Sequence, residues 1–373
     1  MQSLLFGMAW QHGLLASIAA LILYIFYQRM FHPLARVPGP FLASISRLWL
    51  TKLSWIGGAH EVLPALHKKH GPLVRIAPNE VSIGSAAAYK KIYAVNSGFV
   101  KSDFYAPLQG QRKFDLVAER NEEIHAKQRR LVSASYSLAS LKDLEEYVDN
   151  NLSDLFKQLE KQDLSNLEIG HWIEYWGFDV ISDITFSRRM GFIERGTDGG
   201  AVDKIHGVVL SASWVGQVPW LYRLHELLVT IIRRPLLAVA NRHGKLRDMA
   251  VKEVTERKER GTDRSDMLSK WLKTHDKDPR AFDMTDVMSI ATTNIFAGAD
   301  TTGTQIRGML YHILKNPNCK DRLVAEIDER ARRGQLSDPV KFDEANNMPY
   351  LQAVSRPPLA FIDKDILISL HSV

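Results

Sequence analysis

The apolar positions change pattern along the chain. Residues 4–27 carry no formal charge and hold a tight apolar run from Leu14 to Tyr27. A helix needs about 20 residues to cross a hydrocarbon layer, so this stretch predicts one membrane-spanning helix. Residues 73–77 and 80–84 then alternate apolar and polar positions on either side of Pro78-Asn79, which predicts two short strands joined by a turn. Beyond them the spacing is helical. Residues 138–159, 169–186, 202–214 and 235–259 predict helices, Gly261-Thr262-Asp263-Arg264 breaks the series, and Phe282-Asp283 opens another helix. No repeat or low-complexity tract interrupts this order. The fold class is therefore mainly α, with a small N-terminal β region and one N-terminal transmembrane helix.

The flanks of the first segment give it a direction. Gln11 and His12 lie near its outer end, and Trp10, Tyr24 and Tyr27 suit the two interfaces. Arg29 and Arg36 follow it and no cation precedes it, so the positive-inside rule places the N-terminus outside and the body in the cytosol. A cleaved signal peptide is the alternative. It needs a basic n-region and a small-x-small site after the apolar core, whereas Gln28-Arg29-Met30-Phe31 follows here. Phe31 to Pro40 holds three prolines, which exclude helix and predict a stiff elbow, or else an ordinary linker. Asn151-Leu152-Ser153 has the pattern of a glycosylation sequon and is expected to stay unmodified in a cytosolic domain, which offers a test of topology.

Composition narrows the classes. With 373 residues, 45% apolar and 24% charged, the chain is long enough for a normal core. The net charge of +6 fits nucleic acid, anionic lipid or an acidic partner, and no basic block interleaved with aromatics selects nucleic acid. The single cysteine, Cys319, excludes an internal disulfide and any zinc site with two cysteine ligands. No phosphate loop, dinucleotide fingerprint or Gly-x-Ser-x-Gly elbow is present. His225-Glu226-Leu227-Leu228-Val229 has Val where a zincin's second His would bind.

One predicted helix carries chemistry. Nothing stops it from about residue 285 until Asn316-Pro317, yet its middle reads Ala297-Gly298-Ala299-Asp300-Thr301-Thr302-Gly303. Each interior glycine costs up to about 1 kcal/mol relative to alanine, so these residues need a reason. Small residues leave a flat surface where a planar group can approach the backbone. The acid and hydroxyl beside it can loosen the helical ladder and hold a water, giving a dry pocket with one proton route. The alternative is a buried helix crossing with Thr301 bonded back along its own helix.

These residues, with others, resemble the cytochrome P-450 family, in its fungal secondary-metabolism members. Ala297-Gly298-Ala299-Asp300-Thr301-Thr302 is similar to the family's oxygen-activation motif, which implies Asp300 and Thr301 as the proton-delivery pair and Ala297 and Gly298 as heme contacts. Arg75-Ile76-Ala77-Pro78-Asn79-Glu80-Val81-Ser82, the run Phe178 to Phe186, Asn316-Pro317 and Met348-Pro349-Tyr350-Leu351-Gln352-Ala353 also match. His125-Ala126-Lys127-Gln128-Arg129-Arg130-Leu131 matches the helix that reaches the heme propionates, with His125 where Trp is common. Spacing of four puts His125 and Arg129 on one helix face, where a guanidinium can bind a carboxylate; a solvated basic face is the alternative.

The resemblance implies heme b as cofactor, NADPH-cytochrome P-450 reductase and a small lipophilic substrate as partners, no nucleic acid, and a single-pass place in the endoplasmic reticulum membrane with a lumenal N-terminus. The substrate pocket is expected along residues 202–220 and 295–301. Two family features are missing. The thiolate loop Phe-x-x-Gly-x-x-x-Cys has no match, since Cys319 is preceded by His312 and Lys315 where Phe and Gly belong. Glu-x-x-Arg should follow Ala353, but the chain reads Val354-Ser355-Arg356-Pro357-Pro358. Glu329 to Arg332 has that spacing only in a charged run before the region.

The organisation expected is an anchor over 1–28, a proline-rich hinge over 29–40, a partial P-450-like domain over 41–354, incomplete at its C-terminus, and an unrelated tail over 355–373. Val-Ser can be encoded by an intron donor, which predicts that the tail is translated intron. Lacking its thiolate, this chain is expected to be an inactive form of a monooxygenase; a dead remnant and a membrane-anchored ligand-binding protein are the alternatives.

Overall fold

The N-terminal apolar run forms a single helix of 29 residues, α1 (Gln2–Met30), in the computed structural model of the protein. The structure describes residues 2–355, apart from 111, 164, 166 and 232–243. These fall into two units, the first holding 2–99 and 210–221 and the second 100–209 and 222–355. The expected tail, beyond Ser355, and the start of the helix expected from 235 lie outside the described residues.

In the first unit, α1 is followed by α2 (Phe41–Ile45), α3 (Leu48–Ile56) and α4 (Ala59–His70), then β1 (Leu73–Ala77), β2 (Glu80–Ile83) and α5 (Ala86–Ile92). Gly57 ends α3 in the left-handed region, at φ 76°, where a side chain would be strained. β1 and β2 pair antiparallel, with Leu73 opposite Ile83 and a bulge between Arg75 and Ala77. Leu50, Leu53 and Leu63 from the helices close on Val74 and Ile76 of β1.

Arg75 sits among these apolar residues at 1% exposure. Such a group is tolerated only when its donors are matched, and here they are. It donates to the Gln28 carbonyl at 2.9 Å, to Gln28 Oε1 at 2.7 Å and to the Pro78 carbonyl at 2.7 Å. Burial lowers its pKa, and the charge of Arg29 lowers it further. The proline-rich segment lies directly on the same strand. The Arg75 amide donates to the Pro38 carbonyl at 2.7 Å, and a Cβ on Gly39 would stand 2.2 Å from the Arg75 carbonyl.

The regular elements among the second unit's described residues are all helices. It runs through α6 (Ala106–Gln109), α7 (Glu122–Val132), α8 (Leu138–Lys142), α9 (Glu145–Leu159), α10 (Ile169–Phe186) and α11 (Phe192–Arg195). α12 (Ala201–Val215) and α13 (Pro219–Ile231) follow, each giving part of its length to the first unit. The remainder is α14 (Gly244–Arg260), α15 (Met267–Lys277), α16 (Met284–Lys315), α17 (Pro317–Arg332), α18 (Phe342–Asn346) and α19 (Pro349–Ser355).

The helix expected over 138–159 is two helices. Asp143 and Leu144 break it, and Leu144 turns into the core at 2% exposure. The sequon also reads differently in three dimensions. Asn151 is fully buried, and its amide donates to the Tyr147 carbonyl at 2.7 Å and to Asp183 at 2.9 Å. A folded domain hides this amide on either side of a membrane, so its lack of modification no longer discriminates topology.

The core gathers Phe178, Phe186, Trp271, Phe282 and Ile295 around the pair α10 and α16. Two buried carboxylates of α10, one turn apart, organise what surrounds it. Asp179 accepts from the amides of Gly191, Phe192 and Ile193 at the start of α11. Asp183 takes Asn151 of α9 together with Arg189 and Arg264. The polar positions of the run Phe178 to Phe186 are thus joints between elements.

Candidate functional site

The long helix α16 begins and ends on strong local signals. Asp283 accepts from the amides of Thr285 at 2.8 Å and Asp286 at 3.0 Å, and Asp286 returns a bond to the Asp283 amide at 3.0 Å, completing a capping box. Lys113 Nζ lies 2.8 Å from Asp283. Asn316-Pro317 ends the helix, because proline has no amide to continue the ladder. Its 32 residues make a rod of roughly 48 Å at 1.5 Å per residue.

The small residues at its centre divide between two faces. A Cβ on Gly298 would meet Ile181 of α10 at 2.7 Å, and Gly303 stands against Glu174. From the other side, a Cβ on Gly177 would lie 3.1 Å from the Ala299 carbonyl. These glycines bring α10 and α16 close together, and the Glu174–Arg307 ion pair and the 2.7 Å bond from Asn294 to Thr185 fasten the crossing. Gly298, expected as a heme contact, has its missing side chain directed at α10.

Ala297 and Thr301 occupy another face, one helical turn apart, and both are exposed. The Thr301 hydroxyl donates to the Ala297 carbonyl at 2.8 Å, leaving its lone pairs for an incoming donor. Asp300, roughly 100° around the helix from Thr301, is half-buried, and its carboxylate accepts from His206 Nε2 of α12 at 3.0 Å. His206 is itself exposed. One turn before Ala297, Thr293 accepts from Arg112 at 3.4 Å.

His125 and Arg129 share α7, as their spacing requires. His125 is half-buried, with Nδ1 3.9 Å from Glu122, and Arg129 is exposed with no ion-pair partner among the described residues. No hydrogen bond joins this pair to Asp300 or Thr301 among the described residues. His206 and Arg112 were not legible as site residues. Nothing local marks them, and only the approach of distant segments gives each a partner on α16.

Cys319 lies in the first turn of α17. The Cys319 thiol raises the pKa of the Tyr350 phenol beside it, and the Arg322 guanidinium stands 4.4 Å from the Tyr350 ring centre. This cluster joins α17 to α19. Tested against a heme, the small residue Ala297 beside a hydroxyl offers a surface that fits, and Arg129, exposed and without an ion-pair partner among the described residues, offers a cation for a propionate. Cys319, in the first turn of a helix and without the Phe and Gly of a ligand loop before it, does not fit as the axial donor.

The described residues form a mainly helical fold with a two-stranded sheet, built around the long capped helix α16. The family model for cytochrome P450 matches residues 38–356, and the chain belongs to that family. It is 38% identical to the cytochrome P450 monooxygenase hepC of Aspergillus oryzae, over 89% of this chain and 68% of the relative. It is 32% identical to the cytochrome P450 monooxygenase cicH of Emericella nidulans, over 90% of this chain and 69% of the relative. A pisatin demethylase of Fusarium vanettenii is 30% identical over 92% of this chain and 67% of its own length.

Proposed function

We propose that these residues form the distal half of a heme-dependent monooxygenase that oxidises a small lipophilic compound in secondary-metabolite biosynthesis, with electrons from NADPH-cytochrome P-450 reductase. The observation that carries this is the pairing, at the centre of an unbroken α16, of an exposed Ala297–Thr301 face with Asp300 tied to His206. A bound heme would supply the oxygen-activating chemistry. Ala297 gives its ring a flat surface, and His125 and Arg129 hold its carboxylates. The Thr301 hydroxyl, anchored on the Ala297 carbonyl, fixes a water by accepting its hydrogen bond. Asp300 takes protons from solvent through His206 Nε2 and passes them singly, while the closed crossing of α10 and α16 excludes bulk water.

The anchor reading belongs with this proposal: α1 is apolar and unpartnered over much of its length, as a bilayer-spanning helix is, and its flanking cations favour a cytosolic body. The proposal also holds that these 373 residues by themselves leave the iron without a thiolate, since their one cysteine lies in the first turn of α17 and not in a ligand loop.

The test is a carbon-monoxide difference spectrum. The 373-residue chain is expected to give no thiolate-type Soret shift. Joining a relative's cysteine-bearing C-terminal segment after Ala353 is expected to create one, and in that fusion Thr301→Ala is expected to uncouple electron consumption from product. A thiolate signature from the unfused chain refutes the ligand reading. A folded fusion without heme refutes the functional one.

A further inference from the structure

The contacts of α1 carry an inference about how the protein meets the bilayer, and it rests on the reading of α1 as a membrane helix. By apolarity alone the most membrane-like stretch of the described α1 is residues 11–30. Its last two turns, however, are committed elsewhere. The Tyr24 hydroxyl donates to the Ile45 carbonyl at 2.8 Å. Gln28 is 6% exposed, and both its carbonyl and its side-chain oxygen accept from Arg75. Just past the helix, His32 Nδ1 lies 3.2 Å from Arg75 and Nε2 lies 2.9 Å from Asn79. Arg29 reaches Ser44 and stands 5.6 Å from the centre of the Phe41 ring.

These are polar and charged groups shared with α2 and the β turn, and a hydrocarbon core rejects them. The span must therefore end before Tyr24. Residues 4–23 are about 20 in number and roughly 30 Å long as a helix, the thickness of a hydrocarbon layer, and this register takes the uncharged Gln11 and His12 inside the layer while leaving Arg29 and Arg75 outside it. The Arg75 guanidinium also lies where the last carbonyls of α1 are unpaired, so its charge complements the helix dipole.

We propose that Arg75 is a latch that makes α1 and the first unit one rigid piece, setting the bilayer surface at Tyr24 and seating the outer edge of α2 on lipid. α2 has the shape for that role. Ala43 and Ser44 face inward, buried at 0% and 2%, whereas Phe41 and Leu42 project at 55% and 63% exposure. They stand beside Arg29 and close to where α1 leaves the unit, so apolar side chains and a cation meet the acyl and headgroup layers together. The proline-rich segment then acts as a clasp, because its Pro38 carbonyl and Gly39 are held against Arg75 itself.

The test uses the full chain in a Cys319→Ser background, reconstituted in phosphatidylcholine–phosphatidylserine nanodiscs. Nitroxides at Leu15→Cys in α1 and Lys52→Cys in α3 report one distance distribution, and a third label at Leu42→Cys reports depth. The expected results are a narrow distribution, a Leu42 label protected by lipid, and broadening of the distribution by Arg75→Ala with loss of that protection. A broad distribution in the parent protein, or a Leu42 label fully accessible to aqueous relaxant, overturns the proposal. So does a folded Arg75→Ala protein whose distribution stays narrow. If Arg75→Ala does not fold, Gln28→Ala decides by the same measure: unchanged width overturns the latch. A Leu15 label in water would instead refute the membrane reading, independently of how stiff the joint is.

Discussion

The Nε2 of His206 lies 3.0 Å from a carboxylate oxygen of Asp300, linking the exposed face of α12 to the centre of α16. Asp300 is the acid that the motif singles out; its side chain is 27% exposed, and His206 is its exposed hydrogen-bond partner. The neighbouring Thr301 points elsewhere, to its own backbone. Under the proposed function, Asp300 is the residue that exchanges protons and Thr301 the one that positions a donor.

That division predicts different losses at the two positions. In a fusion carrying a heme-ligating cysteine, Asp300→Asn is expected to slow turnover by roughly 10²–10⁴, the range of a lost general acid–base. His206→Gln is expected to slow it less and to shift the pH–rate profile, because water can still reach the carboxylate. Steady-state rates across pH check both. Equal losses at Asp300 and His206 with no change of profile would show that the histidine serves structure alone.

The crossing of α10 and α16 predicts an asymmetry among glycines. Gly298→Ala meets Cδ1 and Cγ1 of Ile181, side-chain atoms that a rotamer change can move, whereas Gly177→Ala meets the Ala299 carbonyl, which cannot turn away. Alanine gains up to about 1 kcal/mol in helix propensity at either site. Gly298→Ala should therefore be close to neutral and Gly177→Ala clearly destabilising, by about 1–3 kcal/mol as an overpacked core site. Urea unfolding of the two variants, with Gly298→Ala repeated in an Ile181→Val background, checks the comparison. The second background should recover whatever Gly298→Ala loses.

Arg257 and Asp266 form an ion pair at 2.8 Å with side chains 3% and 1% exposed, joining α14 to the start of α15. Asp266 also caps α15 by accepting from the Ser269 amide at 2.8 Å. Removing the guanidinium leaves a buried carboxylate without its counter-charge, so Arg257→Ala is expected to cost about 3–5 kcal/mol. Arg188→Ala, at a surface pair, should cost no more than about 1 kcal/mol. Denaturant midpoints compare them.

Acid should loosen α16 at its first turn. The hydrogen bond from Lys113, followed by that from Thr285, holds the Asp283 carboxyl well below the usual carboxylate range. A carboxyl depressed in this way adds stability above its unfolded pKa, near 4, and that contribution disappears as pH falls toward the folded value. Melting temperature is expected to drop below about pH 4 and to drop less steeply in Asp283→Asn. At neutral pH the same substitution should lose the ion pair with Lys113 while keeping the cap, because asparagine is also a good N-cap.

Much of the architecture was legible in the residue order. The helix Ile169–Phe186 has the bounds its spacing predicts, the two strands fall on either side of Pro78-Asn79, and α16 starts at its acidic cap and stops at Asn316-Pro317. The apolar run at the N-terminus is one helix, and the resemblance to the cytochrome P450 family is matched over residues 38–356. These features are local: a cap, a proline or a 3.6-residue period acts on atoms a few residues away, so the sequence contains the whole cause.

The tertiary structure decided what depends on partners far along the chain. Gly298 has its reason in Ile181, more than a hundred positions earlier, and Asp300 finds its hydrogen-bond partner in His206. Leu144 breaks a helix because the core claims its side chain, and Asn151 disappears from the surface because Asp183 takes its amide. Arg75, which reads as a charge in a strand, is buried because Gln28 and Pro78 satisfy its donors. Burial of a polar group is stable only when matched groups arrive from other segments, and no spacing along one segment records which groups those are.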